Sequence, residues 1–216
     1  MAQIIAVSNL KGGVSKSVLS VNLACALRDV GKVVIADTDN QQSAVWWSRK
    51  AQTGVEVIPA RQDGNKRAWA RRLAGVDAAL IIIDCGSNDP DGLGASFAVS
   101  SFAVIPCPPS GVDIKATRDT LDVLKVIREK RNGAPPALLV PSRVDRRRLS
   151  GKEIEAALHD FGEPVGPAIM ERSAISDAFT AGAWIGDFAP RSPGHTEIEA
   201  LTNIIRRRLW PQNVQA

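Results

Sequence analysis

"AVSNLKGGVSKSVLS" (residues 6–20) decides how the rest of this chain is read. The apolar run "QIIAVS" (3–8) leads into it, and an apolar helical pattern follows from Lys16. Between them lie Gly12 and Gly13, whose lack of a Cβ lets backbone approach a ligand closely. A helix start offers unpaired N–H groups and the positive end of its dipole. Successive amides wrapped around a concavity form an anion nest. Lys16 adds a mobile positive charge, and Ser17 supplies a hydroxyl suited to magnesium, a hard cation that takes oxygen ligands. The loop Lys11, Gly12, Gly13, Val14, Ser15, Lys16, Ser17 and Val18 therefore reads as a triphosphate cradle. It departs from the strict G-x-x-x-x-G-K-[ST] pattern, because Leu10 and Ser15 stand where glycine is asked for. If position 15 needs a positive φ, its side chain costs about 1 kcal/mol, modest beside the binding of a triphosphate.

Outward from this loop, short apolar runs alternate with helical patterns. Strands are predicted over 3–8, 32–37, 55–60, 78–84, 102–107 and 136–142. Helices are predicted over 16–30, from 41 to 51, and over 65–74, 113–131, 151–161, 173–182 and 196–209. Near-continuous apolar strands alternating with helices imply a mostly parallel twisted α/β sheet covered on both faces. Right-handed crossovers then connect the strands. No repeat or linker interrupts 1–216, so one domain is expected, with no separate N-terminal DNA-binding domain.

The bulk properties narrow the function classes. The 216 residues are 44% hydrophobic and 23% charged, ordinary for a globular α/β protein. No apolar run reaches the length of a membrane span, and no secretory signal is visible, so a cytoplasmic protein is expected. The net charge of +4 permits a nucleic-acid partner without requiring one. Cys25, Cys85 and Cys107 form no C-x-x-C pair, so buried thiols are expected rather than disulfides or zinc ligands.

"KGGVSKS" resembles the deviant Walker A motif K-G-G-x-G-K-[ST] of the ParA/MinD class of P-loop ATPases. Three further segments follow in the family's order. "VVIADTDNQQSAVWWS" is similar to its D-x-D-P-Q segment, "LIIIDCGS" to its Walker B strand, and "VIPCPPSGVDI" to the V-P-x-x-P-S-x-x-D segment of ParA-type partition proteins. The resemblance is closest to small partition ATPases. It implies ATP or ADP with Mg2+, slow hydrolysis without a partner, and dimerisation with ATP. It also implies nonspecific, nucleoid-associated DNA binding and a ParB-like or other adaptor that stimulates hydrolysis while cargo is positioned. Stable membrane association is not expected. Three departures stand out: Ser15 for glycine, Asn40 for proline, and "DCGSN" for the usual D-x-P-P.

The resemblance also assigns roles. Lys11 is the signature lysine, crossing to the partner's phosphates, where charge neutralisation aids phosphoryl transfer. Asp39 orients the attacking water. The magnesium set is Ser17, Asp84 at the end of an apolar strand, and Asp37. "DTDN" is also cap-like, so a turn carboxylate is the competing reading of Asp37. Pro141 or Arg143 in "LLVPSRVD" lies where a base-recognition segment is expected, although a plain loop fits these residues as well.

Three basic clusters are candidate DNA contacts: Arg67, Arg71 and Arg72; Arg146, Arg147, Arg148 and Lys152; and Arg206, Arg207 and Arg208. The last also suits the negative end of the final helix. No sequence-reading DNA motif is present. One of Trp46 and Trp47 is expected in the core, with Trp184 and Trp210 partly exposed.

A MinD-like membrane-cycling ATPase needs an amphipathic C-terminal helix, and the tail "WPQNVQA" offers little apolar surface. A nitrogenase-reductase-like carrier needs paired cysteine ligands that this chain lacks. A small-molecule ligase or kinase fits Lys11 and the proline segment less well. A nucleotide-binding regulator with little turnover accommodates the altered motifs.

Overall fold

The computed structural model describes residues 2–62 and 64–211. Residues 212–216, most of the tail read above as poor in apolar surface, lie outside the described residues. The chain runs β1 (Gln3–Val7), α1 (Lys16–Ala26), β2 (Val33–Asp37), α2 (Ser43–Ser48), β3 (Glu56–Pro59), α3 (Lys66–Ala74) and β4 (Leu80–Asp84). It continues with α4 (Pro90–Val99), β5 (Phe102–Cys107), α5 (Gly111–Lys130), β6 (Ala137–Val144), α6 (Leu149–His159) and β7 (Ile169–Met170). Three helices, α7 (Ser173–Thr180), α8 (Ile185–Phe188) and α9 (Pro193–Leu209), close it.

The sheet order is β3-β2-β4-β1-β5-β6-β7, and every pairing is parallel. The expected architecture is met. The period of two in each strand divides the core between the faces. Ile5 and Val7 of β1, with Leu80 and Ile82 of β4, face α1, α2, α7, α8 and α9, where Leu23, Trp47, Ile175 and Leu201 pack. Ala6, Ile81 and Ile83 face the other way, toward Trp69, Phe97, Leu124 and Leu158 on α3 to α6. All three cysteines are buried and free, and burial pushes each thiol up to about 12.

The helix expected over 16–30 ends at Ala26, followed by a 3-10 turn over Arg28–Val30. Gly31 then reverses the chain at φ 125°, where a Cβ would come within 2.8 Å of Ala79 Cβ. Three elements lie outside the expected set: α4, β7 and the single-turn α8 (Ile185–Phe188). In α4 the glycines 92 and 94 dilute the apolar pattern, yet Asp89 Oδ1 caps it by accepting from Gly92 N at 2.8 Å, and Leu93 and Phe97 bury one face. β7 spans two residues, too short for any periodicity.

Trp47 is fully buried and Trp46 is 40% exposed, as the pair was expected to divide. Trp184 is a correction, because it is buried rather than partly exposed. Its ring lies against Gly186, where a Cβ would come within 2.1 Å, and meets His195 edge-on at 5.3 Å. Glycine two residues on makes the room. No helix among the described residues is long and apolar enough to cross a membrane.

Candidate nucleotide site

The carboxyl ends of β1, β2, β4, β5 and β6 meet at one edge of the sheet, and a cleft of about 480 Å³ opens there. Ligands of open α/β sheets bind at this edge. Gly12, Gly13, Ser15, Lys16, Ser17 and Val18 line one wall. Asp39, Gln41, Ser43 and Ser87 form a second, and Arg143, Glu171, Ile175 and Phe179 a third.

The loop leaves β1 at buried Ser8 and is pegged from beneath. Asn9 Nδ2 donates to Pro106 O at 3.0 Å and to Thr117 Oγ1 at 3.4 Å, while its Oδ1 accepts from Lys11 N at 2.9 Å. Leu10 N donates to Thr120 Oγ1 at 3.0 Å. These partners on β5 and α5 hold the first half of the loop. Gly13 has φ 75° and Ser15 has φ 74°, ψ 23°. Position 15 is therefore left-handed, and the serine carries the strain anticipated for it. Two left-handed residues within three curl the chain ahead of α1, the kind of turn in which successive amides can form an anion nest.

Lys16 is buried, and its ammonium donates to Lys11 O at 2.8 Å and Ser87 Oγ at 3.3 Å. Burial lowers its pKa, against which Asp84, Cys85 and Asp39 pull upward. The lysine therefore caps the loop as a partly desolvated charge.

Asp84 and Asp37 end adjacent strands in the same register. Asp84 is wholly buried, and its Oδ1 accepts from Ser20 Oγ at 3.1 Å. Its Oδ2 is buried with no hydrogen-bond partner among the described residues. Burial, reinforced by Asp37, raises its carboxyl to about 7, while nearby Ser17, Lys16 and Ser20 pull the other way. An orphaned carboxylate oxygen behind the Ser17 hydroxyl is an all-oxygen donor set of the kind magnesium takes. Among the described residues no group of three His, Cys, Asp or Glu could hold a metal. An ion here would complete its shell with phosphate and water, as magnesium does in phosphate sites.

Asp37 is anchored differently. Its Oδ1 accepts from Asp39 N at 3.0 Å, and its Oδ2 from Ala44 N at 3.0 Å and Val45 N at 3.1 Å. Both oxygens thus serve the turn into α2, the alternative left open for it, and burial raises its pKa. Asp39 lies on the cleft wall, its Oδ1 accepting from Gln41 N at 2.9 Å.

The remaining assigned residues divide. Val14 is buried, and its carbonyl accepts from Ser142 Oγ at 3.3 Å, so it contributes backbone only. Pro141 is not among the residues that line the cleft. It is a buried β6 residue in register with Cys107, and Ser142 and Arg143 line the cleft instead. Arg143, at φ 52°, donates from Nη1 to Gly13 O at 3.1 Å and from Nη2 to Glu171 Oε1 at 3.0 Å. It straps the loop to the end of β7. Lys11 is turned toward Asp113, with Nζ 2.5 Å from Oδ1.

The basic clusters do not line the cleft and differ in pairing. Arg146 pairs with Glu155 at 2.6 Å, and Arg147 and Arg148 share Asp145 at 2.8 and 3.5 Å. Lys152 is exposed on α6. Arg206 reaches Asp29 at 2.6 Å and Ala26 O at 3.3 Å. It complements the carbonyl end of α1 rather than that of its own helix. Arg67, Arg71 and Arg72 are exposed on α3, with no carboxylate within ion-pair distance among the described residues.

Residues 5–183 match the family model described as the CobQ/CobB/MinD/ParA nucleotide binding domain. The chain belongs to that family. Within this CobQ/CobB/MinD/ParA group it is 26% identical over 176 residues to the maintenance of carboxysome distribution protein A of Halothiobacillus neapolitanus, covering 79% of this chain and 80% of the relative. It is 27% identical over 242 aligned positions to the chromosome-partitioning ATPase Soj of Thermus thermophilus, covering 95% and 96%. The solved structure of apo McdA from Cyanothece superposes with a TM-score of 0.82 at 15% identity, covering 95% of this chain and 100% of that one. At that identity the likeness establishes the P-loop fold.

Proposed function

We propose that this chain is a ParA-type ATPase that binds MgATP in the cleft, dimerises in that state, binds DNA without sequence preference and so positions DNA or another cargo. The observation that carries the reading is the meeting of Lys16, Ser17 and Asp39 on one cleft behind a left-handed Gly13–Ser15 loop. Carboxysome distribution and chromosome partitioning in the two relatives favour a positioning role over a biosynthetic one.

The loop amides and Lys16 hold the β- and γ-phosphates. Ser17 and Asp84 are the residues that would hold magnesium, with Asp37 fixing the turn beside them. A magnesium ion bound there would supply charge neutralisation for phosphoryl transfer. Asp39 holds the attacking water. Lys11 leaves Asp113 and reaches the partner's phosphates, so that dimer and nucleotide state are coupled. Arg67, Arg71 and Arg72 are the favoured DNA contacts, because no carboxylate among the described residues pairs with them.

Sizing and gel-shift experiments with ATP, ADP and no nucleotide test the reading. A dimer and a shifted DNA band with ATP alone support it. A monomer that ignores DNA in all three conditions contradicts it.

A further inference from the structure

The residue that departs most from the family pattern also makes the most informative contacts in the cleft. We propose that Ser87 is a positioning residue for hydrolysis, its hydroxyl holding the Asp39 carboxylate in place for the attacking water. This rests on the reading of the cleft as an ATPase site.

Ser87 stands where D-x-P-P would place a second proline, a residue with no side-chain donor. Its Oγ donates to Asp39 Oδ2 at 3.4 Å and accepts from Lys16 Nζ at 3.3 Å. A hydroxyl has one proton and two lone pairs, so both contacts form together. Their direction is also fixed. The ammonium can only donate, so the serine proton points to the carboxylate. With Gln41 N on Oδ1, each oxygen of Asp39 then has its own donor.

The backbone carrying Ser87 is tied on both sides. Gly86 N donates to Thr38 Oγ1 at 3.1 Å, next to Asp39, and Asn88 N donates to Leu10 O at 2.7 Å, next to Lys11. A Cβ added to Gly12 would stand 3.4 Å from Ser87 Oγ, so the hydroxyl lies directly against the cradle. Ser87, Asp39 and Lys16 all line the cleft. When Lys16 turns its protons to phosphate, the serine proton stays on Asp39 and its lone pairs become free to accept from water. Asp39 and Ser87 then offer two acceptors around one water molecule, and Ser87 makes and breaks no covalent bond.

The test uses the full chain with MgATP and compares Ser87→Ala and Ser87→Thr with wild type. Ser87→Ala keeps ATP affinity within about threefold and lowers kcat about tenfold, the scale of a lost orienting contact. It also weakens binding of ADP with aluminium fluoride, a transition-state mimic, by about the same factor as kcat. Ser87→Thr retains the hydroxyl and restores both. In an Asp39→Ala background, adding Ser87→Ala causes no further loss, because the serine acts through Asp39. Wild-type kcat in Ser87→Ala, or an equal further loss without Asp39, overturns the proposal and leaves the cleft reading standing. A wild-type chain that binds no ATP overturns both.

Discussion

Lys11 Nζ stands 2.5 Å from Asp113 Oδ1, joining the start of the phosphate loop to the first turn of α5. Asp113 is itself held, its other oxygen taking the Ser110 hydroxyl. The pair is a latch on the lysine assigned to the partner's nucleotide. Lys11 is a third exposed while Asp113 is buried, so opening the pair costs on the order of 1 kcal/mol or more, which the charge of a triphosphate would have to offset. Asp113→Asn keeps the local shape and removes the charge. The ATP-bound dimer of this variant is expected to form at about fivefold lower concentration, which corresponds to about 1 kcal/mol. Sedimentation at several concentrations measures this, and an unchanged dimerisation constant means that the latch does not compete.

Ser15 sits at φ 74° with a side chain that glycine would lack. Ser15→Gly relieves strain of about 1 kcal/mol, and a comparable gain in unfolded-chain entropy offsets it. The variant is expected to melt within a few degrees of wild type and to bind ATP as tightly or more tightly. Ser15→Val, β-branched at a left-handed position, is expected to lose about 1–2 kcal/mol in denaturant titration. Weaker ATP binding by Ser15→Gly would refute the strain argument.

The buried Asp84 carboxyl, raised to about 7, makes the ligand-free protein sensitive to pH. An unfolded carboxyl titrates near pH 4. Between those values the folded chain holds a proton that the unfolded chain has released. Stability from this group is therefore present at low pH, falls as pH rises through the window and levels off above about 7. Asp37, raised by burial, acts in the same direction. In EDTA the denaturant midpoint is expected to drop from about pH 5 to about pH 8, and Asp84→Asn is expected to flatten much of that drop. An equal drop in Asp84→Asn would place its origin elsewhere.

The basic clusters differ in how far carboxylates among the described residues already neutralise them. Arg147 and Arg148 share Asp145, whereas Arg67, Arg71 and Arg72 lack a carboxylate partner among the described residues. Replacing the three α3 arginines with alanine is expected to weaken ATP-dependent DNA binding and to reduce the salt slope by up to about 3. The same change at Arg147 and Arg148 is expected to reduce it by less. A reversed order would move the DNA surface to the α6 side.

The sequence made the sheet legible because its strands are short, apolar and bounded by turns, as "LIIID" and "FAVIPC" are. It made the phosphate loop legible because that chemistry sits in consecutive residues. The walls of the cleft were less accessible. Ile175 and Phe179 carry only an apolar helical pattern, and nothing local says that they face a ligand. Asn9, Thr117 and Thr120 peg the loop through contacts about a hundred residues apart, with no motif to mark them. Asp37 illustrates the opposite limit, since "DTDN" fits both a cap and a metal ligand and only the three amides on its oxygens show how it is held. Ser87 was visible as a departure from D-x-P-P, but its contacts with Lys16 and Asp39 needed the fold.

Calorimetric titration of MgATP into wild type and Lys16→Ala is the most direct measurement of whether this loop is a triphosphate cradle. The expected result is one site per wild-type chain, tighter with magnesium than with EDTA, and loss of binding in a Lys16→Ala protein that still melts cooperatively. No heat of binding to folded wild type at about millimolar ATP, or undiminished binding by Lys16→Ala, would contradict it.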